Sequence, residues 1–202
     1  RTDTGVHARA QVVAFDTGTS RSLTSFVQGL NFYLPDDIAV KAAYRTGGDF
    51  DPRRMAISRR YRYTIDAGPA PSPLTRRTAY HSGVSLDICG MQRAAGWFVG
   101  VHDFARFAGP LSEPRAGTVR EVYEARVLRE DDIINFEVEG SSFLPRQVRR
   151  MAGALVDLGR GSLTPAELRL MIDGVAGDAV ARSLPPQGLC LMKVTYAHFP
   201  PE

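Results

Sequence analysis

Asp3 stands near the N-terminus in the string RTDTGVHA, between two threonines and two residues ahead of Gly5. An aspartate so placed forms an Asx-turn with its own backbone, and the glycine supplies a permissive dihedral. The same setting can instead hold a carboxylate rigidly on backbone N–H groups, ionised and ready to act as nucleophile or base. His7 offers a third reading, as a metal pair with Asp3. With no second ligand cluster in the chain, that is the weakest of the three.

Two basic clusters lie farther along. Arg53, Arg54, Arg59, Arg60 and Arg62 crowd a stretch without an acid, with Tyr61 and Tyr63 interleaved. Basic side chains beside aromatics suit RNA, whose phosphates take the charge and whose unstacked bases take the rings. Tyrosines of a strand also serve simply as core. The second cluster is RQVRR, where Arg146, Arg149 and Arg150 fall off the Leu144–Val148–Met151 stripe, so a solvated helix face is their default reading. Cations at the start of a helix gain nothing from its dipole, so a phosphate or a carboxylate such as Asp3 would be a natural partner. Glu121, Glu124, Glu130, Asp131, Asp132, Glu137 and Glu139 gather in one strand–turn–strand region. The two signs are thus segregated along the chain, and the acidic hairpin is expected to face away from any nucleic acid. His81, His102 and His198 have no recognisable partners and are read as ordinary histidines.

The net charge is +3, and because only Lys41 and Lys193 are lysine, 23 of the 25 basic residues are arginine. Arginine's planar fork suits phosphate and carboxylate, but codon preference explains a bulk excess equally well. With 202 residues, 44% hydrophobic and 23% charged, the chain is an ordinary globular protein with room for a substantial core. No apolar run approaches the roughly 20 residues that span a bilayer, which excludes a membrane bundle. Cys89 and Cys190 stand alone, without CxxC, which argues against a disulfide scaffold or structural zinc and fits a reducing, cytoplasmic compartment. There is no P-loop, GxGxxG, HExxH or GxSxG, which lowers the case for nucleotide hydrolysis, dinucleotide redox chemistry, zinc proteolysis and hydrolase chemistry.

The elements that must position these residues follow from periodicity. Strands are predicted over 9–15, over Ile38–Tyr44, and over 58–66, the last with Tyr61, Tyr63 and Ile65 on one face and Arg60, Arg62 and Thr64 on the other. A helix begins at Leu23 behind Ser20 or Ser22, and another spans 86–99 behind Ser85. The prolines at 69, 71 and 73 mark a long surface loop. Strands follow near 118–128, 133–139 and 189–196. The strongest helix runs from about Phe143 to Leu158, with Pro145 in its first turn. Thr164, Pro165 and Glu167 make a capping box for a helix ending near Gly174. Strands and helices mix without strict βαβ alternation, which implies an α+β fold.

RTDTGVHA resembles the catalytic motif of the tRNA pseudouridine synthase A family, in which an aspartate follows Arg-Thr. The resemblance continues in order through FVQGLNFYLPDDIAV, FDPRRMAISRRYRYTI, GVHDFARF, FLPRQVRRMAGALVDLGRG and QGLCLMKVTY, nearly the whole chain. By this resemblance Asp3 is the catalytic aspartate, Tyr61 the tyrosine that stacks on the target uracil, and Arg149 the arginine that pairs with the aspartate. Arg1 helps hold the flipped nucleotide, and Thr2, Thr4, His7, Arg59, Arg60, Arg62, Arg146 and Arg150 are expected to bind the RNA substrate. The implied reaction converts uridine to pseudouridine at positions 38–40 of the tRNA anticodon stem-loop, with no cofactor and no metal. It needs a carboxylate near ribose and base, a cation to keep such a carboxylate ionised, and a ring to retain the detached base.

The implied fold has two related halves sharing a largely antiparallel sheet flanked by helices, with the cleft between them. Residues 1–57 would be the remainder of the first half and 58–202 the second; members are homodimers that grip one tRNA with both subunits. They also carry a strand and helix before the motif, and since this chain opens on Arg1 inside it, the natural N-terminus is expected to lie elsewhere. Cys190 replaces a common aromatic, and Ala105 and Arg106 replace small hydroxyl residues. The runner-up reading is a non-catalytic RNA-binding protein or RNA chaperone using the same basic surface; a metal-dependent hydrolase built on Asp3 and His7 is third.

Overall fold

The computed structural model describes residues 2–110, 117–175, 180–197 and 199. Arg1 and His198 lie outside the described residues. The elements in chain order are β1 (His7–Ala8), α1 (Leu23–Tyr33), β2 (Ala56–Asp66), β3 (Tyr80–His81), α2 (Ile88–Ala95), β4 (Gly100–Asp103), β5 (Val119–Glu130), β6 (Ile133–Gly140), α3 (Gln147–Gly159), α4 (Pro165–Ile172) and β7 (Leu189–Tyr196). The fold is α+β, with helices against a multi-stranded sheet.

The chain forms two compact units, one of Arg1–Gln11 with Ile57–Thr195, the other of Val12–Ala56 with Tyr196–Glu202. Residues 1–11 thus go with the larger unit, whereas a division at residue 57 would group them with 12–56. The reason is β1, which pairs in parallel with β7, His7 opposite Cys190 and Ala8 opposite Leu191.

The larger unit holds a seven-stranded sheet in the order β1-β7-β2-β6-β5-β4, with β3 beside β2. The β2–β6, β5–β6 and β4–β5 pairs are antiparallel, and β2–β3 is parallel. Alternation along β2 sends Tyr63 and Ile65 into the core, where they join Ile134, Phe136 and Val138 of β6 and the apolar stripes of α2 and α3. The capping box at Thr164 forms as its residues require, and the cap of α2 is Asp87, whose carboxylate accepts from the Gly90 N–H, in place of Ser85.

The opposite face of the sheet overturns the expected segregation of charge. Arg60 of β2 meets Glu139 at 2.6 Å and Glu124 at 3.2 Å, and Arg62 meets Glu137 at 2.6 Å. Arg126 of β5 reaches Glu137 at 2.7 Å and Glu124 at 3.0 Å. The acids distant in sequence are cross-strand neighbours of the basic strand, Arg60 opposite Glu139 and Arg62 opposite Glu137. Antiparallel register brings the two signs together, and they neutralise one another.

In the smaller unit α1 is capped by Ser22, whose side chain accepts from the Ser25 N–H. The strands predicted over 9–15 and 38–44 do not form; after Ala8, residues 9–22 and 34–46 are without regular structure. Alternation alone makes no strand, because a strand needs a ladder partner. The Val40 N–H and C=O are instead satisfied by the amide of Asn31, at 2.7 and 2.9 Å. The strongest helix also starts later than its sequence suggests. Arg146 takes a left-handed conformation, φ 60°, so α3 begins at Gln147 and Pro145 lies before it.

Candidate active site

The loop carrying Asp3 is a tight turn, closed by a 3.1 Å hydrogen bond from the Val6 N–H to the Asp3 carbonyl. Gly5, its third residue, has φ 80°, the sign that a type II turn requires there. A Cβ at Gly5 would also lie 3.0 Å from Cγ of Pro186. From this turn the chain enters β1, and the Arg9 N–H extends the pairing to the Leu191 carbonyl at 2.8 Å. The Asp3 turn is thereby fixed beside the start of β7.

Arg149 comes from the first turn of α3. Its Nη1 donates to Asp3 Oδ2 at 3.3 Å and its Nε to the Leu184 carbonyl at 2.7 Å. The pair is asymmetric: the Arg149 side chain is 13% exposed and that of Asp3 39%, so the cation is braced by protein while the carboxylate opens to solvent. Among the described residues the Asp3 carboxylate bonds to this guanidinium and to no backbone N–H, so the Asx-turn is not what forms. Arg149 likewise departs from the solvated helix face on which it was expected.

Tyr61 lies on the core-facing side of β2, half-buried, opposite Val138 and edge-on to Phe143 with centroids 5.4 Å apart. Burial raises its phenol above the ordinary value; the nearby Arg59 charge opposes this and the Asp3 charge adds to it. Asp3 and Tyr61 therefore share one electrostatic neighbourhood. Arg59 belongs to the same face and donates to the Ser141 carbonyl at 2.6 Å. Beneath them Tyr63 is fully buried, and its hydroxyl donates to the Pro185 carbonyl at 2.8 Å.

The remaining sequence candidates divide. Thr2 and Thr4 flank Asp3, half-buried and exposed respectively. The exposed His7 is engaged through Nε2 with the Arg77 carbonyl at 2.7 Å. Asp3 bonds to Arg149 and His7 to the Arg77 carbonyl, and among the described residues there is no group of three His, Cys, Asp or Glu that could hold an ion. Arg146 is exposed, and Arg150 is half-buried, its guanidinium pushed below its ordinary value by burial and then by the Arg146 charge. Arg60 and Arg62 do not reach the site, since they point to the opposite face and are bound to glutamates there.

Sequence reasoning missed Phe143, the Leu184 and Pro185 carbonyls, and the bond from the Tyr63 hydroxyl to Pro185, though it allowed a core role for the strand tyrosines. Backbone acceptors leave no side-chain signature. The available signal was Pro185-Pro186 followed by Gly188, a stiff segment directly ahead of a strand. The assembled site is a half-exposed carboxylate backed by a braced cation, with the half-buried Tyr61 in the same electrostatic neighbourhood.

Residues 94–197 match the model of a protein family described as tRNA pseudouridine synthase. The chain belongs to that family, whose members are isomerases. Among curated proteins, tRNA pseudouridine synthase A of Geobacter sulfurreducens is 41% identical over 196 residues, covering 97% of this chain and 80% of that protein. The protein of the same name from Geotalea uraniireducens is 42% identical over 198 residues, with the same coverage. That of Acetivibrio thermocellus is 38% identical over 196 residues, again 97% of this chain and 80% of its own length.

Proposed function

We propose that this chain isomerises uridine to pseudouridine in tRNA, at positions 38–40 of the anticodon stem-loop. Asp3 is the reacting carboxylate, Arg149 its partner cation and Tyr61 the ring that retains the detached uracil. The N1–C1′ bond breaks, the base turns over in the site, and C5 bonds to C1′. The C5 proton leaves to solvent and N1 takes one up, so nothing is oxidised and no fragment departs. The observation that carries this reading is the Asp3–Arg149 contact at 3.3 Å between groups 146 residues apart. Ordinary stability does not call for a helix-start arginine braced on a carbonyl and aimed at a half-exposed carboxylate.

In this reading Arg59, Arg146 and Arg150 contact the RNA backbone, and the bases themselves are read by shape and stacking. In the same reading the enzyme works in the cytoplasm as a homodimer, which sedimentation of the pure protein tests. Among the described residues no helix is long and apolar enough to cross a membrane.

Release of tritium from tRNA labelled at uridine C5 tests the function directly. Asp3→Asn and Asp3→Ala are expected to abolish release while retaining tRNA on a filter. Normal release by Asp3→Ala removes Asp3 from the chemistry. Binding without release by the unaltered chain replaces the isomerase with the RNA-binding reading.

A further inference from the structure

We propose that Tyr63 is a positioning residue for the Asp3–Arg149 pair, acting through the backbone of residues 184–186. The inference rests on the assignment of Asp3 and Arg149 made above. Three consecutive residues connect Tyr63 to the site. The Leu184 carbonyl accepts from Arg149 Nε at 2.7 Å, and the Leu184 N–H donates back to the Arg149 carbonyl at 3.3 Å. The Pro185 carbonyl accepts from the Tyr63 hydroxyl at 2.8 Å. Pro186 Cγ stands 3.0 Å from where a Cβ of Gly5 would be, beneath the turn that carries Asp3.

The two prolines have no N–H to donate, so this segment cannot anchor itself in a ladder and its place is set from outside. The buried Leu184 side chain and its backbone bonds to Arg149 hold one end, and the Tyr63 hydroxyl holds the residue that follows. The Tyr63 ring is fully buried, and Gly188 packs against it so closely that a Cβ there would come within 2.7 Å of Cζ. Burial raises the Tyr63 phenol well above its ordinary value, so its hydroxyl stays a donor. A tyrosine that merely satisfied its hydroxyl could use any carbonyl. This one grips the residue lying between the support of the cation and the support of the carboxylate's turn.

Tyr63→Phe keeps the ring and removes only the hydroxyl. In the full chain it is expected to lower kcat for tritium release about tenfold, the scale of one buried hydrogen bond, with KM for tRNA within about twofold. In an Arg149→Lys background the same change is expected to matter by less than about twofold, because the register it maintains is already lost. Independently of turnover, the Leu184 amide is expected to exchange with solvent about tenfold faster in Tyr63→Phe, while the β2–β6 ladder amides keep their protection.

Unchanged exchange at Leu184 overturns the proposal whatever the activity. So does an unchanged kcat, or an equal loss in both backgrounds. An unaltered chain that releases no tritium defeats the proposed function instead, while the Leu184 exchange still decides the positioning role.

Discussion

Arg149 offers the sharpest perturbation, because its contacts assign different magnitudes to stability and to turnover. Truncation to alanine removes a charge-assisted bond to the Leu184 carbonyl, worth about 2 kcal/mol where the acceptor is left unpaired. The contact to Asp3 adds less than about 1 kcal/mol, since that carboxylate is 39% exposed and its pair is screened by water. With the lost packing of the stem, urea unfolding is expected to show a destabilisation of about 3 kcal/mol. Turnover should fall much further, because losing the group that aims the carboxylate displaces it by an ångström or more, which costs on the order of a hundredfold. Arg149→Lys separates the two effects. It keeps the charge and most of the stem, but a point charge cannot reproduce a fork spanning a carbonyl and a carboxylate, so a loss of about tenfold in kcat remains. Tritium release at saturating tRNA, normalised to folded protein, is the assay. An Arg149→Ala enzyme with kcat within about threefold of the parent refutes the reasoning. If its KM alone rises and the salt dependence of tRNA binding drops by about one counterion, Arg149 is a phosphate contact instead.

Two further outcomes probe the scaffold. Glu137 lies between Arg62 and Arg126 with its side chain 10% exposed. Burial pushes its carboxyl up, but the hydrogen bonds and charges of the two arginines outweigh this and hold it below the ordinary 4.5. A depressed folded value means that stabilisation is present above pH 4.5 and is lost as pH falls through that lower value. Glu137→Gln should therefore cost about 2 kcal/mol at pH 7, discounted for its half-exposed partners, with the gap to the parent closing in acid; a pH-independent gap contradicts the ion-pair account. Gly188→Ala places a methyl 2.7 Å from Cζ of the fully buried Tyr63 ring, and denaturant unfolding should show a loss of about 2 kcal/mol. A change below about 0.5 kcal/mol would mean that the strand start yields freely.

Much of the site was legible in one dimension because its parts are local. The string around Asp3, the tyrosines of β2 and the arginines opening α3 each sit in a short motif, and their order along the chain suffices to assign the family. The capping box at Thr164 and the cap at Ser22 were equally legible, since both partners lie within one helical turn. Segments 9–15 and 38–44 show the limit. Their alternation is real, but a strand exists only where a partner supplies the ladder, and the Val40 backbone found that partner in Asn31.

Charge was the other non-local quantity. Along the chain the basic and acidic stretches look separate, yet strand register lays Glu137 and Glu139 across from Arg62 and Arg60 and withdraws those two arginines from the substrate side. Sequence by itself determined which groups are candidates for the proposed chemistry, because side-chain type and local spacing are properties of the chain. Only the tertiary structure decided which cations serve Asp3, which neutralise glutamates, and which backbone carbonyls hold Arg149. Apart from Arg126–Glu124, those pairings join residues 11 to 146 positions apart, and nothing in local propensity encodes the distance between them.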